Sequence, residues 1–77
     1  MLSKNSIKYI NSLRVKKYRN EEGLFIAEGE RMIEEILNSS LLIKSIYHTP
    51  DWCFKENRYN PEVFEIASDE MKKISGL

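Results

Sequence analysis

Bases and tyrosines set close together near the start are the residues of this chain best suited to chemistry. Lys16-Lys17-Tyr18-Arg19 places one aromatic ring among three cations, and Tyr9 follows directly on Lys8. Lysine and arginine pair with phosphates, and a tyrosine ring stacks on an unpaired base. The first twenty residues carry Lys4, Lys8, Arg14, Lys16, Lys17 and Arg19 and no acid, while the remaining fifty-seven hold all twelve acids against six bases. A formal net charge of zero is therefore +6 followed by −6. Clustered positive charge of this kind neutralises phosphates even on a neutral molecule. Nucleic acid is the first partner it suggests and an acidic protein surface the second. With no DNA-reading motif visible, RNA is favoured over duplex DNA.

Other constellations read as structural. Gly29 stands where a strand would meet a helix, but Glu28 and Glu30 flank it and would repel a phosphate, so it reads as a turn residue. The chain has no GxGxxG and no P-loop. His48 and Cys53 are the only soft metal ligands, too few for a four-ligand zinc site. His48 reads as a surface or half-buried residue, and Cys53 as a packing residue between Trp52 and Phe54. The acid pairs Glu21-Glu22 and Glu34-Glu35 read as solvated. No catalytic set can be named.

The elements that position these residues follow from periodicity. Seventy-seven residues make one domain, 1–77, which buries only about 60–65% of its unfolded surface. A single cysteine excludes an internal disulfide and fits a reducing cytoplasm. No apolar run approaches the ~18 residues needed to span a bilayer. Residues 3–13 predict a helix with Ser3 as N-cap, Ile7, Ile10 and Leu13 on one face and Lys4 and Lys8 opposite. Continuing it would carry Arg14 and Lys17 onto the apolar side, so a break is expected near Arg14–Val15, with a second turn over 16–20. Residues 24–27 (LFIA) predict a strand buried on both faces. Residues 30–39 predict a helix with Met32, Ile33, Ile36 and Leu37 as its apolar stripe. Residues 42–48 and 63–66 predict two further strands. Pro50-Asp51 opens a short helix holding Trp52 and Phe54, and Asn60-Pro61 marks a turn. A last helix starts on Ser68 as N-cap and stops at Gly76. Alternation of helices and strands implies an α/β fold with a small, mostly parallel sheet of about three strands.

The segment SLRVKKYRNEEGLFIAEG, residues 12–29, resembles the N-terminal substrate-binding domain of the SpoU/TrmH-type RNA 2′-O-ribose methyltransferases. There a short helix and a K-K-x-R segment lead into a strand ending in E-G, followed by an amphipathic helix. The likeness covers essentially the whole chain and is densest over 12–33. It implies a three-layer α/β/α sandwich like that of ribosomal and kink-turn-binding RNA proteins. It also implies that the chain recognises ribosomal or transfer RNA and presents it to its own separate C-terminal knotted catalytic domain, with a homodimer as an option for the full-length protein. That domain would bind S-adenosylmethionine, and these residues alone would lack the activity. The simplest expectation is an isolated domain of a longer enzyme. The resemblance carries the RNA-contact role to Arg14, Lys16, Lys17 and Arg19, while Lys4 and Lys8 join them on the helix-face argument. Arg31 is a further candidate, although Glu34 and Glu35 stand one turn on. Two other readings stay open: a protein-interaction or dimerisation module, and a free-standing kink-turn-binding protein.

Overall fold

The computed structural model describes residues 2–52 and 61–76. The chain runs α1 (Lys4–Ser12), α2 (Lys16–Glu22), α3 (Glu30–Leu37), β1 (Ser45–His48), β2 (Glu62–Glu65) and α4 (Ser68–Ile74). Ser3 caps α1 as its position foretells, its Oγ accepting the Ser6 N–H at 3.0 Å. The helix then stops where its apolar face would have filled with bases. Three successive N–H groups, of Leu13, Arg14 and Val15, each donate to the carbonyl three residues back, a tightening typical of a helix end. Val15 is extended, and α2 starts after it.

Two glycines punctuate the chain between α2 and α3. Gly23 is left-handed at φ 67° and ends α2, its N–H donating to the Arg19 carbonyl at 2.9 Å. Gly29 precedes α3 at φ 100° and ψ 141°, a conformation that side chains rarely adopt. Space around its α-carbon is open, so backbone conformation alone asks for glycine here.

β1 and β2 pair in parallel, with Ser45 opposite Glu62, Ile46 opposite Val63, Tyr47 opposite Phe64 and His48 opposite Glu65. The Tyr47 and Phe64 rings stack across the pair, centroids 5.1 Å apart. The α/β class and the parallel pairing are thus as the sequence implies. The third strand is not. Residues 24–27 take no regular structure, and the sheet of the described residues has two strands. A continuous apolar run signals a wish for burial but names no pairing partner. Here the run instead walls an apolar groove of about 540 Å³ against residues 41–47, and Phe25 stays 61% exposed.

Two smaller expectations also shift. The N-cap of α4 is Ala67, with Ser68 already helical, because Glu70 reaches back and accepts the Ala67 N–H at 3.2 Å. The helix leaves through Ser75 in an extended conformation, so Gly76 does not terminate it. Cys53, Phe54 and Asn60, and with them most of the expected short helix and turn, lie outside the described residues.

α1 and α4 pack side by side and run in the same direction. Glu70 accepts the Leu2 N–H at 2.6 Å at their starts, and Asn11 donates to the Lys73 carbonyl at 3.0 Å near their ends. Among the described residues Leu13, Ile46, Ile66 and Ile74 are the buried apolar ones, one each from the end of α1, β1, the end of β2 and α4. No helix among the described residues is long and apolar enough to cross a membrane.

Candidate nucleic-acid interface

The six bases of the first twenty residues separate into two kinds. Arg14 and Arg19 hold the corner together. Arg14 Nε donates to Asn11 Oδ1 at 3.3 Å, and its Nη2 donates to Glu28 Oε1 at 3.3 Å and to the Ile74 carbonyl. Glu28 completes the node by accepting the Gly76 N–H at 2.8 Å. One guanidinium thereby ties the end of α1 to the E-G segment and to the exit of α4. Arg14–Glu28 is the one ion pair among the described residues. Arg19, from the middle of α2, sends Nη1 back to the carbonyls of Leu13 at 3.2 Å and Arg14 at 2.8 Å. Those carbonyls end α1 without helical partners, so Arg19 satisfies them and sets the angle between the two helices.

The lysines remain free. Lys4, Lys8, Lys16 and Lys17 are exposed, and none has a carboxylate within ion-pairing distance among the described residues. Lys4 and Lys8 lie one turn apart on the solvent face of α1, as the periodicity requires. Lys16 and Lys17 begin α2, and Glu21 and Glu22 end it. That order opposes the helix dipole, which favours acids at the start and bases at the end. α4 shows the favourable order, with Asp69 and Glu70 first and Lys72 and Lys73 last. The lysines of α2 are therefore not there to stabilise their helix.

Two tyrosines stand among these charges. Lys17 Nζ lies 5.8 Å from the centroid of the Tyr18 ring, and Lys44 Nζ lies 5.5 Å from that of Tyr9. Lys44 has no sequence signal to announce it, since only the fold brings the approach to β1 against α1. Glu28 was visible as part of the E-G motif, but its grip on Arg14 and Gly76 was not. Arg31 is exposed on α3 with no ion-pair partner among the described residues, so the alternative that Glu34 or Glu35 pairs with it does not form.

Elsewhere the titratable groups are structural. His48 is half-buried, with Nδ1 2.8 Å from the Thr49 carbonyl and its ring against Trp52. The Thr49 hydroxyl bonded to Asp51 holds that carboxyl below the ordinary range. The Leu2 and Ala67 N–H groups do the same for Glu70.

A family model, the MRM3-like substrate binding domain, matches residues 4–77. The chain belongs to that family. It is a substrate-binding domain of the RNA-methyltransferase kind, and RNA is the partner such a domain implies. Comparison with curated proteins and with solved structures returned no significant match. The family assignment agrees with the geometry: free lysines and accessible rings around a corner fixed from within.

Proposed function

We propose that this is the RNA-recognition domain of a SpoU/TrmH-type 2′-O-ribose methyltransferase, holding ribosomal or transfer RNA for a separate catalytic domain in the cytoplasm. The observation that carries the RNA surface is the set of four exposed lysines without acidic partners, two of them placed against their helix dipole. Their role is to neutralise phosphates. Arg14 and Arg19 act one step back, holding the corner on which Lys16 and Lys17 stand.

S-adenosylmethionine would be held by the catalytic domain. The residues here do not fit it: the groove is walled largely by Leu13, Leu24, Ile26, Ile36, Ile43 and Ile46. The described residues bury no polar or charged side chain to hold an amino-acid head or a ribose.

The test is a salt titration of single-stranded RNA binding. Each phosphate contact contributes a log–log slope of about −0.7, so four lysines give roughly −3. The double variant K16E/K17E should weaken binding across all sequences and flatten the slope by about 1.4. Unchanged affinity in that variant would remove both lysines from the RNA surface.

A further inference from the structure

We propose that Tyr9 with Lys44, and Tyr18 with Lys17, form two stacking sites for unpaired RNA bases, an inference that rests on the proposed RNA-recognition role. The exposure of these rings is the starting point. Tyr9 is 37% exposed and Tyr18 42%, and neither hydroxyl bonds to a described residue. Tyr47 shows what a structural tyrosine does in the same chain: it stacks on Phe64 within the sheet and is half-buried. Tyr9 and Tyr18 have no such aromatic neighbour among the described residues. Each has an ammonium near its ring instead.

An ammonium within about 6 Å of an aromatic centroid is drawn by the ring's negative face. A base stacks on such a face too, and every base has a π-face to offer. The lysine stem is long and flexible, so its ammonium can give up the ring to the base and move to that nucleotide's phosphate. One lysine and one tyrosine thus suffice to hold one nucleotide by both of its ends. Both rings are carried on helices, α1 and α2, whose relative angle Arg19 sets. Lys8 and Lys16 stand beside them without acidic partners and extend the phosphate track. Bases within a duplex stack on each other and hide their faces, so the ligand is single-stranded RNA.

The experiment titrates the whole chain into a single-stranded RNA carrying 2-aminopurine, whose fluorescence responds to stacking, and into the same sequence as a duplex. Quenching is expected with the single strand. Tyr9→Leu and Tyr18→Leu should each weaken binding about five-fold or more with the salt slope kept. Tyr9→Phe should bind like the parent, since the hydroxyl has no partner to lose. Lys44→Gln should flatten the slope by about 0.7. Urea melts of each variant separate lost stacking from lost folding, and Tyr9→Phe with the fluorescence signal decides the matter if Tyr9→Leu does not fold. The proposal is overturned by RNA binding with a normal salt slope but no quenching and no effect of the leucine variants, a result that leaves the RNA-recognition role intact. Equal loss in Tyr9→Phe, or duplex bound as tightly as single strand, overturns it as well. No binding of either RNA at low salt overturns both the stacking sites and the RNA-recognition role.

Discussion

The guanidinium of Arg14 touches three stretches of chain, so removing it takes a donor from an acceptor on each. Arg14→Ala leaves Glu28 and the Ile74 carbonyl without this donor, and a loss of about 1–2 kcal/mol is expected in urea denaturation. Gly76 tests the same node from the other side. A methyl group there would meet Arg14 Nη1 at 2.5 Å, closer than real side chains come. Gly76→Ala should therefore swing the flexible end of Arg14 aside at small cost, so that the melting temperature changes by less than in Arg14→Ala. Gly29→Ala fails for a different reason, backbone conformation at φ 100°, with an expected cost of order 1–3 kcal/mol. A melting temperature unchanged in Arg14→Ala would show that the node does not hold the corner in solution. At this scale the sequence revealed which residues were charged but not which charges were already engaged. A basic run looks alike whether its members face phosphates or their own carbonyls.

Among the elements, α1 was legible almost to the residue, because it carries its own cap and apolar period, while α4 was legible as a helix whose cap and stop each fell one residue before Ser68 and Gly76. The break after Leu13 was legible too, since continuing the helix would have turned bases inward. Residues 24–27 were not, because strand formation depends on a partner edge that lies far along the chain. The contact between α1 and α4 carries its own prediction. Hydrogen bonds from Leu2 and Ala67 depress the Glu70 pKa, so its contribution is complete above the ordinary glutamate value of about 4.3 and disappears as pH falls through the lower folded value. Protection of the Leu2 amide, its exchange rate taken relative to the intrinsic rate at the same pH, should fall on acidification through that window. Glu70→Gln should remove this pH dependence while leaving that of the other carboxylates.

Among the described residues four aliphatic side chains are buried, each from a different part of the chain, and none of them is completely enclosed. A 77-residue domain has only several kcal/mol in hand. Ile46→Ala or Ile66→Ala, costing about 2–4 kcal/mol, should thus bring the chain close to unfolding at physiological temperature, as a circular-dichroism melt would show. Charge works over the same distance scale but in the other direction. The zero net charge hides a basic start and an acidic remainder, so binding of a polyanion should be strong at low salt and fall steeply as salt rises.

Composition and order were enough for the α/β class, the parallel pairing, the basic corner and its likeness to a methyltransferase substrate-binding domain. The class, the pairing and the corner follow from the alternation of elements and from charge, which the chain carries wherever it folds, while the likeness rests on the particular residues of 12–29. Tertiary packing alone settled that Arg14 binds the corner to the exit of α4 and Arg19 closes the end of α1, that Lys44 meets Tyr9, and that residues 24–27 wall a groove. Those outcomes depend on which distant groups arrive within 3 to 6 Å, and no residue announces its neighbours in space.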